Sequence, residues 1–265
     1  MSVSMRSFFV LLIIISLPSL FFVSLSIGDA DVGPHEVFHY FFGEQVSSID
    51  RLVIQEIRMP RALAAVLTGA ALGISGAMLQ GMLRNPLASP FLLGISSGAG
   101  VCVVILFALN VAAFWIPLGA WLGAVFAAVL VFLISYQKQQ ISLERLILAG
   151  VAVSSVLGAI QAIFLLRSDD ARIQNSLTWL SGTLAARTWD DLSFTWIPIV
   201  ICIFSSLIFA KQLNLAFLDD DTSQSLGLSL VTLRLMVGFI ATILTACAVC
   251  ISGLVGFVGL VIPHM

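Results

Sequence analysis

The chain is short of charge. Lys, Arg, Asp and Glu make up 10% of its 265 residues, and hydrophobic residues make up 60%. A soluble domain carries about 25% charge. With so little, this chain cannot cover a water-facing surface, so its solvent is lipid. The mean hydropathy of +1.10 agrees. The net charge of −2 gives nucleic acid nothing to hold. Histidine is scarce too, with only His35, His39 and His264. The first two stand four apart beside Glu36, a spacing that can hold a metal on a helix. A solvated amphipathic segment is the plainer reading, and no metal site is assigned. The four cysteines, Cys102, Cys202, Cys247 and Cys250, all lie inside apolar stretches. Cys247 and Cys250 spell C-x-x-C. No His or acid stands beside them, so packing is the default reading.

A helix needs about 20 apolar residues to cross the hydrocarbon core. Seven charge-free runs qualify: Phe8–Ile27, Ala62–Leu83, Phe91–Asn110, Trp115–Gln137, Leu146–Leu166, Leu192–Ala210 and Leu235–Ile262. The last exceeds one crossing and is expected to end near Ile251, before the glycine-rich "SGLVGFVGLVIPH". The first reads as a retained helix, because its apolar core exceeds the roughly 7–15 residues of a signal peptide. Ala65, Gly69, Gly73 and Ala77 recur at i+4 in the second run, with Gly76 beside them, and Gly119 and Gly123 repeat the spacing in the fourth. Small residues at that interval let helix backbones approach closely. The expected fold is an all-α polytopic membrane protein with seven spans, forming one domain over residues 1–265.

No Asp, Glu, Lys, Arg or His lies inside any of the seven runs. Proton-coupled carriers need ionisable groups at membrane depth, and intramembrane hydrolases need a nucleophile with a base, or metal ligands. The chain reads as a conduit without its own engine. A carrier coupled to Na⁺ through backbone carbonyls escapes this test and stays open as an alternative.

Orientation is not decided by charge. With the N-terminus inside, Arg6, Arg84, Lys138, Arg145, Lys211 and Arg234 are cytoplasmic, and Arg51, Arg58, Arg61, Arg167, Arg172 and Arg187 are outside. The split is even, so the positive-inside rule gives no answer.

An engine in a partner must be reached through polar segments, and three stand out. In "EIRMPRALAAVLTG", Arg58 and Arg61 lie three apart before the second run. A helix starting near Met59 points both to nearly one side. They suit either interfacial snorkelling or bidentate docking of an acidic partner. The linker Arg167–Asp191 holds Trp179 and Trp189, which suit a membrane interface, and reads as a short surface helix with a turn at Gly182. In "QLNLAFLDDDTSQSLGL", any of Asp219, Asp220 and Asp221 can cap a short helix running toward Leu226, with Gly227 ending it. Such a helix, greasy on one side, fits a groove on a protein; an ordinary solvated loop is the bland alternative.

Five blocks in order carry a resemblance. They are "RMPRALAAVLTGAALGISGAMLQGMLRNPLASPFLLGISSGAG" (58–100), "RLILAGVAVSS" (145–155), "LTWLSGT" (177–183), "LNLAFLDDDTSQSLG" (213–227) and "GLVGFVGLVIPH" (253–264). Together they resemble the FecCD-type permeases, the membrane subunits of ABC importers for iron–siderophores, haem and cobalamin. The resemblance implies a transporter subunit rather than an enzyme, with no catalytic residue and no cofactor of its own. ATP and Mg²⁺ are implied on a separate ABC ATPase subunit. Further implied partners are a periplasmic or lipid-anchored substrate-binding protein and a second permease copy, identical or paralogous. The setting is the cytoplasmic (inner) membrane of a bacterium, with the N-terminus cytoplasmic.

The resemblance also implies roles. Arg58 and Arg61 match periplasmic arginines that face glutamates on the binding protein. Asn214, Leu215, Phe217, Leu218, Asp219, Asp220, Asp221, Leu226 and Gly227 match short coupling helices that sit in a cleft of the ATPase. Leu146–Leu166 lines the pathway at the dimer interface, with Gly150, Ser154 and Ser155 along it and Ser142, Leu143 and Glu144 at its cytoplasmic gate. The coupling segment departs from the usual L-G-E/D-x-x-A-x-x-L-G, with Asp219 for the first glycine and Ser223 for the alanine. Ser89 and Phe91 stand where Asp and Gly are common. Family members usually continue past "P-H" for about three more spans, to roughly ten. A chain stopping at Met265 is expected to be a fragment or a truncated product, and a non-transporting remnant is the third reading.

Overall fold

The computed structural model describes residues 3–43, 46–137, 140–216, 218 and 220–265, with 3–11 and 221 described by backbone alone. The fold is all-α apart from one two-residue ladder. It comprises two compact units, Met1–Ala65 with Ala185–Asp190, and Val66–Leu184 with Asp191–Met265.

The first unit opens on α1 (Val3–Ser26), whose Ser19 and Ser26 hydroxyls donate back to the carbonyls of Ile15 and Phe22 at 2.8 and 2.9 Å. Back-bonding of this kind lets a serine sit in a lipid-facing helix without an unpaired donor. α2 (Pro34–Phe42) starts with proline in its first turn and ends at Gly43, φ 76°. The Glu36 carboxylate accepts from the Gly33 N–H at 2.9 Å, which fixes the start of α2. His35 and His39 face each other at 2.9 Å on its exposed side. α3 (Ser48–Leu52) runs through a π-turn, Val53–Arg58, into α4 (Met59–Leu83). The second run therefore begins as helix at Ser48, well before the Ala62 expected from the loss of charge. Leu25, Val32, Val37, Ile54 and Ala62 form the core of this unit.

The second unit is built around α12 (Leu230–Ser252). It packs against α5 (Ile95–Ala108), α6 (Ile116–Ser135) and α10 (Trp196–Ala216). α7 (Leu143–Leu166) packs on α5 and α6, and α8 (Asp170–Ser181) packs on α5. In α12, 78% of the most apolar window is buried, against 22% in α7. So α12 is the axis, and most of α7 faces outward. Ser75 of α4 donates to the Ala241 carbonyl at 3.0 Å and meets the Thr245 hydroxyl at 2.6 Å. Between α6 and α7, β1 (Tyr136–Gln137) pairs antiparallel with β2 (Gln140–Ile141). α9 (Trp189–Ser193), α11 (Asp220–Ser225) and α13 (Val258–Val261) are short.

Five helical stretches among the described residues are long and apolar enough to cross a membrane: Ser48–Leu83, Ala113–Ser135, Leu143–Leu166, Trp189–Ala216 and Leu230–Ser252. Leu12–Ser26 and Ile95–Ala108 are shorter apolar helices. The seven runs read from the sequence thus all contain an apolar helix. The third differs most. Its first residues form a 3₁₀ turn, Pro90–Leu93, and Gly94 at φ 73° breaks it before α5 starts, leaving 14 residues. At about 1.5 Å per residue α5 is about 21 Å long.

α5 and α6 touch backbone to backbone. A Cβ on Gly98 would collide with the Gly123 carbonyl, and one on Gly123 with the Gly98 carbonyl. Neither backbone can yield without separating the helices. Gly98→Val is therefore expected to lower stability by about 1–3 kcal/mol or more, read as a lower melting temperature in detergent. Gly69→Val, where a Cβ meets nothing within 4 Å, is the control and is expected to stay close to wild type.

Candidate functional site

The segment after α10 holds the expected short helix and its glycine stop. α11 begins at Asp220, and Gly227 at φ 85° closes it, with the Gly227 N–H donating to the Gln224 carbonyl at 2.9 Å. Asn214 and Leu215 belong to the last turns of α10. Phe217 and Asp219 lie outside the described residues, and of Asp221 only the backbone is described. Ser223, standing where the pattern has alanine, is fully buried, and its hydroxyl donates to the Leu215 carbonyl at 3.0 Å. The replacement is accommodated because the added oxygen has an acceptor. Leu215, Leu218 and Leu226 are exposed on the same segment.

Asp220 is half-exposed and meets the arginines at the ends of α4 and α12. It accepts from Arg84 Nη2 at 2.7 Å, and from Arg234 Nη2 through both carboxylate oxygens at 2.9 and 3.0 Å. Arg84, at φ 50° just past α4, also donates Nε to the Ala216 carbonyl at 2.5 Å. Arg234, in the second turn of α12 and 6% exposed, donates Nη1 to the Ile141 carbonyl at 2.7 Å. Desolvation pushes the Asp220 carboxyl pKa up. The hydrogen bonds and charges of Arg234 and Arg84 outweigh this and hold it below its ordinary value. One carboxylate thus joins α11 to the ends of two long helices.

Neither arginine stands out as a site residue in the sequence, where both merely count as cations flanking a span. Their roles follow from tertiary contact, across 136 residues for Arg84 and 14 for Arg234. The available signal was that each is the sole cation beside a charge-free run facing an acidic segment.

Arg58 and Arg61 differ in exposure. Arg58 is buried, and its guanidinium donates to the carbonyls of Leu25, Val32 and Ala30 at 2.6, 2.8 and 2.9 Å. Gly28 lies against that guanidinium, where a Cβ would stand 2.9 Å from Nη2. The chain from Leu25 to Val32 wraps the arginine. The Arg58 guanidinium, expected to face a binding protein, is instead taken up by backbone carbonyls. α4 does start at Met59, and a π-turn ending at Arg58 leads into it. Arg61 is exposed and has no ion pair among the described residues. Both border a cavity of about 460 Å³ with Val23, Ile27, Asp29 and Ile57.

Gly150, Ser154 and Ser155 gather with Ser89, Phe91 and Leu92 around a cavity of about 400 Å³. Gly150 lets α7 lie directly on the Leu92 carbonyl. Ser142 caps α7, accepting from the Arg145 N–H at 3.2 Å, and Glu144 lies in the first turn. Ser142–Glu144 is separated from Ser154 by about three helical turns, roughly 15–18 Å, so the gate and pathway residues occupy two places along α7. The "NPLASP" turn is held to the glycine-rich end of the chain. Gln80 donates to the carbonyls of Ala88 and Leu260 at 3.3 and 3.1 Å, and His264 Nε2 meets the Pro86 carbonyl at 2.8 Å. Cys247 and Cys250 are buried and unbridged, as packing residues are. Among the described residues no group of three or more His, Cys, Asp or Glu could hold a metal.

An apolar helical bundle with five helices long and apolar enough to cross a membrane is the fold of a multi-pass membrane protein. The FecCD transport family matches residues 11–265, and the chain belongs to that family. It is 32% identical to the probable siderophore transport system permease protein YfhA of Bacillus subtilis, over 98% of this chain and 78% of that protein. It is 33% identical to the molybdate import system permease protein MolB of Haemophilus influenzae, over 92% of this chain and 74% of that protein. A solved inward-facing conformation of a putative metal-chelate type ABC transporter superposes with a TM-score of 0.83 at 32% identity, covering 94% of this chain and 77% of that one. The chain is a transport permease of the inner membrane.

Proposed function

We propose that the chain forms, with a second permease copy, the pathway of an ATP-driven importer for a metal chelate such as an iron–siderophore, haem or cobalamin. ATP and Mg²⁺ act on a separate ABC ATPase, which engages the segment from Asn214 to Gly227 on the cytoplasmic side. A substrate-binding protein docks on the opposite side through Arg61. The N-terminus is then cytoplasmic.

The observation that carries this reading is that the coupling segment is tied to the bundle and still offers apolar side chains. Asp220 accepts from Arg84 and Arg234, while Leu215, Leu218 and Leu226 stay exposed. Exposed leucines on a short tethered helix suit insertion into a groove. The cavity beside α7 supports a bulky cargo. Its lining of three serines, a phenylalanine, a leucine, a valine and a glycine has no cation to grip a small oxyanion.

Leu218→Asp combined with Leu226→Asp is expected to reduce co-purification of the ATPase on the order of tenfold, as loss of anchors at the centre of an interface does. The fold should persist because both side chains are exposed. Undiminished co-purification, or no cross-link from a cysteine at Gln224 to the ATPase in the assembled importer, rejects the assignment.

A further inference from the structure

The inference drawn here deepens the coupling role just assigned and rests on it. We propose that Arg234 is a positioning residue that makes α11 and the start of α7 move as one body. Its guanidinium holds two things at once. Nη2 binds both oxygens of Asp220 at 2.9 and 3.0 Å, and Nη1 donates to the Ile141 carbonyl at 2.7 Å. Ile141 is buried, ends β2, and pairs with Tyr136 at the end of α6. The next residue, Ser142, caps α7. The arginine therefore spans from the coupling helix to the junction of α6 and α7, which are far apart along the chain.

The chemistry of the group decides what it transmits. A guanidinium is planar, with its nitrogens at fixed angles, and does not lose its charge. If Asp220 shifts, Nη2 follows, and Nη1 must then carry the Ile141 carbonyl or break its bond. Breaking it would strand a charged donor at a site only 6% exposed, which is unfavourable. Arg84 ties the same carboxylate to the end of α4 and, among the described residues, makes no bond to the hairpin, so it lacks the second arm. The link supplies what a coupling segment needs, a stiff path to the least buried of the five long spans.

The test uses the assembled importer in nanodiscs, with spin labels at Gln140 and Gln224, both exposed. Labelled chains are diluted into unlabelled ones so that one protomer is read. In the wild type the expected distance distribution is narrow and identical without nucleotide and with trapped ATP. Arg234→Lys keeps a positive charge for Asp220 but has no fork for Ile141, and is expected to lose the narrow distance and to shift on ATP. Arg84→Lys is expected to keep it. A narrow, unshifted distribution in Arg234→Lys overturns the proposal, and so does a wild-type distance that changes with ATP. An Arg234→Lys chain that no longer assembles makes the arginine purely structural and also overturns it. Failure of the coupling role itself is read separately, as a missing cross-link from Gln224 to the ATPase.

Discussion

Arg58→Ala is expected to loosen the first unit, not to weaken docking selectively. The guanidinium is the hub of the chain from Leu25 to Val32, which has no regular structure of its own beyond the end of α1. Three carbonyls converge on it at 2.6–2.9 Å. Hydrogen bonds to a charged group contribute about 1.5–3 kcal/mol each. Some of that returns when the freed carbonyls find water, so the net loss is expected on the order of 3 kcal/mol. The readouts are a lower melting temperature in detergent and faster proteolytic nicking around Gly28. Arg61→Glu should leave both unchanged and weaken the binding-protein association, with a strong salt dependence in the wild type. An Arg58→Ala chain that melts like wild type yet fails to dock would reverse the two assignments.

Asp220→Ala is expected to be nearly as costly to the fold and more so to transport. It strands two arginines, one of them with a side chain 8% exposed. Removing one partner of a buried pair costs about 3–5 kcal/mol. Asp220 itself is 43% exposed, so solvent screening reduces this to about 2–3 kcal/mol. ATP-driven uptake should fall to background while the ATPase keeps hydrolysing. Asp220→Asn retains one acceptor and should fall between. The pH dependence has a definite sign. The folded pKa is lowered, so the contribution is complete above the ordinary value of 3.8 and lost as pH falls through the lower, folded pKa. Melting of Asp220→Ala should therefore converge on wild type only in acid. A gap that persists there, or normal coupled uptake in the variant, argues against the clamp.

Much of the fold is legible in the sequence because lipid imposes a simple rule. Every charge-free run contains an apolar helix, and the expected turns at Gly182 and Gly227 both take positive φ. The rule fails where charge is absorbed by tertiary contact. Asp50, Arg51, Glu56 and Arg58 make residues 48–61 look like a loop, yet a helix runs through them, with Arg58 consumed by backbone carbonyls. Likewise "DDD" looks like one uniform acidic tip. Nothing local reveals that its middle residue is held by two arginines, because these lie at the ends of α4 and α12. The third run is read too long because Gly94 carries no charge, and its effect is on φ alone.

The brevity of α5 bears on how the third run crosses. At about 21 Å it falls roughly 9 Å short of a hydrocarbon slab about 30 Å thick. A full crossing therefore needs the 3₁₀ turn Pro90–Leu93 as well, and non-helical backbone is tolerated at membrane depth only where protein or a cavity covers it. The hollow at Ser89, Phe91 and Leu92 lies beside that turn.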